Sequence, residues 1–258
     1  MDQKTKILDS LEQRTCLKVI AGINNFDKER VLKIAGAANQ ARASVVDICA
    51  GEDIIEAVIS KYPELPVMVS SVSPAELRRA IELGTDAIEL GNYEALHEQG
   101  IFYTADEVLE ITDKILHIVN EYQSATGHRV VVSITVPGHL EVREQVELAV
   151  ALEERGVDVI QTEGAALVNA QGAGALGQIE KARLTLANTI EISKALEGKA
   201  KVLTASGITP DTAPLAVAAG SAGIGVGKYV SKLESELEML AAVTALRESI
   251  STKTESLV

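Results

Sequence analysis

The chain has no tryptophan, two phenylalanines, five tyrosines, two cysteines and four histidines in 258 residues. So few aromatics provide little on which bases can stack. With 37 acidic against 24 basic side chains, the net charge of −13 repels phosphate backbones. Nucleic acid is therefore not expected as a partner, and acidic membrane surfaces are disfavoured for the same reason. The N-terminal stretch MDQKTKILDSLEQRT carries charge throughout and has no long apolar core, which fits neither a signal peptide nor a membrane span. A soluble, intracellular protein is expected. Cys16 and Cys49 lie in or beside apolar runs, outside any C-x-x-C or metal-type spacing, and read as buried reduced thiols. No group of His, Cys, Asp or Glu has ligand spacing, so no dedicated metal site is expected.

What the chain does have is apolar material, 47% of residues, arranged in a regular alternation. Short β-rich runs occur at 17–23, 44–50, 66–72, 86–91, 129–136, 158–163, 200–206 and 222–227, each followed by a segment of helical period. Asp27, Ser73, Thr104 and Asp211 stand at the expected helix starts, with Pro74 and Pro210 close to the first turn. Eight strand–helix units in one uninterrupted chain predict a single (β/α)8 TIM barrel over residues 1–258, closed by parallel strands and followed by a C-terminal helix. A doubly wound open sheet is the alternative.

The even-numbered strands repeat one another: SVVDICAG, TDAIELGNY, VDVIQTEGA and SAGIGVGKY align so that Asp47, Glu89, Gln161 and Gly225 fall at one position. Alternate strands of a barrel contribute one interior layer, so these four positions face inward at nearly one height. Among the odd strands, LKVIAGI aligns with AKVLTASGI, which pairs Lys18 with Lys201. Alone, Lys18 would suit Schiff-base chemistry. The alignment instead sets it at the bottom rim, where lysines extend towards water.

Two glycine turns, SGI after strand seven and GVG after strand eight, are the strongest chemical signal. Without Cβ atoms, such loops bring backbone N–H groups against an anion, and these two loops are where barrels hold phosphate. Ser206 with the amides of Gly207, Ile208, Gly225, Gly227 and Lys228 is the expected phosphate site. For acid/base work Glu89 comes first, supported by Asp47, Glu163 and Gln161, because a carboxylate in an apolar barrel titrates nearer neutrality. Asn24, Asn25, Ser71, Thr135, His139 and Ser206 end or follow strands on the same face, with His139 expected in solvent. Segment 164–180, long and rich in glycine, is expected to act as a lid.

The motifs KVIAGINNFD, VVDICAG, VSSVSP, AIELGNYEALHEQG, ITVPG, DVIQTEGA and ASGIT with GIGVG resemble the plastid and cyanobacterial family known as hypothetical chloroplast reading frame twenty-three, over about residues 14–232. That resemblance implies a location, cyanobacterial cytoplasm or plastid stroma, more than a chemistry. TDAIELG is also similar to the strand carrying the catalytic glutamate of the tryptophan synthase α-subunit, which implies proton transfer for Glu89. Three functions are compatible with these residues: an isomerase, aldolase or lyase acting on a phosphorylated metabolite, an oxidoreductase binding flavin mononucleotide (FMN), or a sensor of phosphometabolites. No cofactor is required by the sequence. A homo-oligomer through LEMLAAVTALRESI is an open expectation.

Overall fold

The computed structural model describes residues 3–97, 99–164 and 171–251. Its strands are β1 Cys16–Ile20, β2 Val45–Cys49, β3 Val67–Ser70, β4 Ala87–Leu90, β5 Val131–Val136, β6 Val159–Thr162, β7 Lys201–Thr204 and β8 Gly223–Val226. The helices are α1 Gln3–Glu12, α2 Lys28–Gln40, α3 Glu52–Lys61, α4 Pro74–Glu82, α5 Glu94–His97, α6 Ala105–Thr126, α7 Val142–Glu154, α8 Gly174–Ala195, α9 Ala213–Ala218, α10 Lys228–Ser231 and α11 Glu236–Ser251. All eight strands pair in parallel and in chain order, and β8 closes on β1. The expected TIM barrel is the observed fold. Following the registers once round the barrel shifts the pairing by eight residues, one per strand, which is the stagger of this barrel class.

Helix ends follow their side chains. Asp27 accepts from the Arg30 amide, Ser73 from that of Glu76, and Thr104 forms a reciprocal capping box with Glu107. The expected start at Asp211 is displaced: Thr212 is the cap of α9, and Pro214 in place of Pro210 occupies its first turn. Within the segment expected as a long loop, residues 165–170 lie outside the described residues, and α8 begins at Gly174. A ladder of buried hydroxyls seats α8 on the barrel: Thr162 meets Thr185 at 2.7 Å, Thr189 meets Thr204 at 2.7 Å, and Thr185 donates to the Ala205 carbonyl at 2.6 Å. The C-terminal helix α11 packs Met239, Val243, Leu246 and Ile250 on the barrel core and leaves Leu237 exposed.

Two apolar clusters result. The larger fills the shell between strands and helices, and the smaller lies inside the barrel around Cys16, Val45, Met68, Ala87, Val131, Val159 and Leu203. Helix α1, absent from the sequence-based expectation, presses Ile7 and Leu11 into the bottom of this inner plug. Both side chains are almost fully buried, and burial of each contributes about 1.5–3 kcal/mol. Cys16 and Cys49 are both buried and unbridged, as expected.

Candidate functional site

Above the apolar plug the barrel interior turns polar. Asp47, Glu89 and Gln161 do face inward together, as their repeat predicts, and they converge on the residue the alignment had set aside. The Lys18 ammonium lies 2.6 Å from Glu89 Oε1, 3.1 Å from Asp47 Oδ2 and 3.0 Å from Gln161 Oε1, with all four side chains buried. Lys18 is therefore not at the bottom rim. Leu203 pairs with Gly223, and Gly223 with Cys16; with one residue of stagger per strand, Leu203 is level with Lys18. Lys201 sits one inward-facing position lower, reaching Glu12 of α1 at 3.0 Å.

The remaining valences of this cluster are filled by short side chains. Ser70 donates to Asp47 Oδ1 at 2.5 Å and Ser133 to Glu89 Oε2 at 2.6 Å. The Gln161 amide donates to Glu89 Oε1 at 3.0 Å and to Thr135 Oγ1 at 3.1 Å. From the mouth side, partly exposed Asn92 reaches both carboxylates, at 3.3 Å to Asp47 and 3.4 Å to Glu89. With both carboxyls ionised, one ammonium facing two carboxylates leaves the cluster one negative charge in excess. Burial pushes the Glu89 carboxyl upward; Lys18 pulls it back, Asp47 adds to the rise, and the net shift is up. Burial works against the Lys18 ammonium, but Asp47 and Glu89 outweigh it and hold it above the usual lysine range. Lys18 is thus a fixed cation, with three acceptors for its three protons, and does not present a neutral amine.

Glu163 stands one inward position above Gln161 and accepts the Gly138 amide at 3.3 Å. On the neighbouring lip, Ser206 and Gly207 both adopt left-handed backbone, φ +72° and +73°. A Cβ on Gly207 would lie 3.0 Å from the Lys181 carbonyl, so glycine is required there. Gly227 caps the short α10, and a Cβ there would be in ordinary contact with Ile20, whose Cβ lies 3.7 Å away. Ile208 is buried and Lys228 is exposed. Gly225 differs from the expectation. It lies within β8, paired with Lys18, and a Cβ there would meet Leu203, Ala205 and Gln161 Oε1 at 3.0–3.1 Å. Its missing side chain makes room for barrel neighbours; it does not open space for a ligand.

The other mouth residues are engaged locally. Asn25 binds the Ala21 carbonyl, Ser71 binds Glu76 at 2.5 Å, and Asn24 crosses to the Ala95 carbonyl of α5 at 3.4 Å. His139 is exposed, with its ring 5.3 Å from those of His97 and Phe102. Lys18, Ser70, Asn92 and Ser133 were missed from the sequence. Of these only Lys18 carried a signal, a single charge at an inward-facing position of an otherwise apolar strand.

The family model described as protein of unknown function (DUF561) matches residues 1–256. A protein described as uncharacterized protein ycf23 from Cyanophora paradoxa is 34% identical over 254 residues, covering 96% of this chain and 98% of its own. Its counterpart from Porphyra purpurea is 31% identical over 251 residues, covering 97% and 91%. Among solved structures, native KDPGal aligns with a TM-score of 0.61 at 16% identity over 90% of this chain and 93% of that one. A 3-hexulose-6-phosphate synthase aligns at 0.60 and 16%, over 91% and 99%. KGPDC from Streptococcus mutans aligns at 0.61 and 11%, over 91% and 96%. At such identities these likenesses establish the barrel fold alone.

Proposed function

The chain belongs to the DUF561 family, and from the site at the centre of its barrel we propose an enzyme that binds a phosphorylated carbonyl metabolite and moves a proton on it. The carrying observation is the buried Lys18–Asp47–Glu89–Gln161 cluster, in which one ammonium faces two carboxyl groups. Proton uptake by Glu89 from a carbon next to a carbonyl would bring the cluster to neutrality, so the surroundings drive the base towards reaction. Lys18 and Ser133 hold the carboxylate in place, Asp47 maintains the field, and Asn92 stands between Glu89 and the mouth. Glu163 is a second carboxylate on the same face. Amides around Ser206, Gly207, Ile208 and Gly227, with the Lys228 ammonium at the rim, would hold the phosphate. The names of the hexulose-phosphate synthase and of the orotidine 5'-phosphate decarboxylase from Pyrococcus horikoshii, which shares the fold, fit a phosphorylated ligand.

Incubating the protein with phosphorylated aldoses and ketoses in D2O, and following deuterium beside the carbonyl by NMR, tests this reading without a known product. Glu89→Gln should lower exchange about 10²–10⁴-fold, the usual worth of a general base, while leaving phosphate-dependent affinity intact. Binding without exchange by the wild type would favour the sensor. Visible absorption on adding FMN would favour the flavin reading, and absence of both binding and exchange would refute the proposal. Cyanobacterial cytoplasm or plastid stroma is the proposed location. Self-association is proposed as well, to be read by light scattering.

A further inference from the structure

Among the described residues, Asp47 and Glu89 take side-chain donors from Lys18, Gln161, Ser70, Ser133 and Asn92. The first four are buried and donate at 2.5–3.1 Å. Asn92 differs. It is partly exposed, and its one amide nitrogen divides two protons between Asp47 Oδ2 at 3.3 Å and Glu89 Oε1 at 3.4 Å, the longest bonds of the set. Backbone sets its approach. A Cβ on Gly91 would lie 2.1 Å from Thr135 Oγ1, so the end of β4 lies close against β5, and Asn92 then takes φ +62°, a left-handed conformation that asparagine tolerates. Its carbonyl accepts the Ala95 amide at 3.2 Å, which fixes the turn. Glu89 Oε1 thereby receives Lys18, Gln161 and Asn92, three donors on an oxygen with two lone pairs. The Asn92 bond is the weakest of the three.

We propose that Asn92 is the exchangeable donor of the site: the N–H it aims at Glu89 turns to the carbonyl oxygen of the ligand, while its other N–H stays on Asp47. The inference rests on the proton-transfer reading above and adds a catalytic residue to it. A ligand entering from the mouth meets Asn92 before any of the buried donors, and the bond it opens is the longest one on Glu89. Opening it frees a lone pair on Glu89 Oε1 beside the oxygen that the amide now holds. Removing a hydrogen from the carbon next to a carbonyl requires that pair of neighbours. In this step the C–H bond breaks, its proton forms an O–H bond with Glu89 Oε1, and its electron pair moves into an enolate whose charge gathers on the oxygen facing Asn92. One negative charge leaves the carboxylate and appears on the ligand. The amide bond to that oxygen strengthens as the charge develops, so Asn92 acts more on turnover than on binding.

The test is Asn92→Gly, which removes the amide and suits the left-handed backbone, measured with ribulose 5-phosphate and inorganic phosphate. Inorganic phosphate affinity should be unchanged. Ribulose 5-phosphate affinity should fall about 3–10-fold, the worth of one hydrogen bond, and deuterium exchange at saturation about 10²–10³-fold. The acidic limb of kcat/KM for exchange should move to higher pH, because ionised Glu89 has lost a donor in the free protein. A side chain that merely blocks the mouth predicts the reverse: exchange as fast as wild type or faster, which would overturn the inference. So would an unmoved acidic limb, unchanged ribulose 5-phosphate affinity, or an equal loss of inorganic phosphate affinity. Wild type that binds inorganic phosphate but not the sugar would overturn it too, with the phosphate site left standing. Wild type that binds ribulose 5-phosphate without exchange would end the proton-transfer reading, and the two affinities would then decide the Asn92 contact by themselves. Failure of both probes to bind wild type would overturn both readings.

Discussion

Replacing Lys18 with methionine would leave the Asp47 and Glu89 carboxylates facing each other in a sealed barrel with no cation between them. The volume change is small, so the effect is electrostatic. Removing one partner of a buried ion pair costs about 3–5 kcal/mol, a large part of the total stability of a domain. The loss has a pH signature. In wild type, Lys18 opposes the upward shift of Glu89, and that opposition disappears with the ammonium. A carboxyl raised above its unfolded value of about 4.3 binds protons in the folded state that the unfolded chain has released, so stability falls as pH rises through that interval. The gap between Lys18→Met and wild type should therefore widen from pH 5 to pH 8 in urea titrations. Wild type keeps its Lys18 contribution across this range, because a lysine held above the usual range gives it up only at alkaline pH. Adding Glu89→Gln to Lys18→Met should recover part of the loss, with a coupling of about 1–3 kcal/mol. A gap below about 1 kcal/mol, or one independent of pH, would refute the charged-cluster reasoning. If Lys18→Met alone fails to fold, the double variant supplies the measurement.

Leu11→Ala should cost about 2–5 kcal/mol in urea unfolding by opening a cavity under the inner plug, and should leave inorganic phosphate affinity unchanged because α1 closes the opposite end of the barrel. Gly207→Ala should weaken phosphate binding and cost at least about 1 kcal/mol, since its φ of +73° and the Lys181 carbonyl both resist a Cβ. Gly84→Ala is its control: φ there is +93° with nothing within 4 Å of a Cβ, so stability should fall without any change in phosphate affinity.

Much of the fold was legible because its signals are local. Strand runs, the Asp27, Ser73 and Thr104 caps and the closing of α6 at Gly127 each depend on a few consecutive residues. The even-strand repeat was legible for the same reason and brought Asp47, Glu89 and Gln161 to one layer. Helix α1 escaped notice because its two core contacts, Ile7 and Leu11, make sense only once a barrel bottom exists to receive them. Asn92 escaped because a turn after Gly91, where Thr135 of the next strand leaves no room for a Cβ, aims it at the carboxylates.

Gly225 and Lys18 mark the boundary most clearly. Gly225, read in the sequence as a phosphate-binding amide, lies within β8, where Leu203, Ala205 and Gln161 leave little room for a Cβ. Lys18 and Lys201 occupy matching positions in similar strand sequences, yet one is the buried centre of the cluster and the other reaches Glu12 at the barrel floor. By itself the sequence determined which residues form strands and which side of each strand faces inward, because both follow from the two-residue period of an extended chain. Height along the barrel axis is not a property of any one strand. It accumulates through the one-residue stagger of eight strands until the sheet closes, and only that closure decided that Lys18 meets Asp47, Glu89 and Gln161.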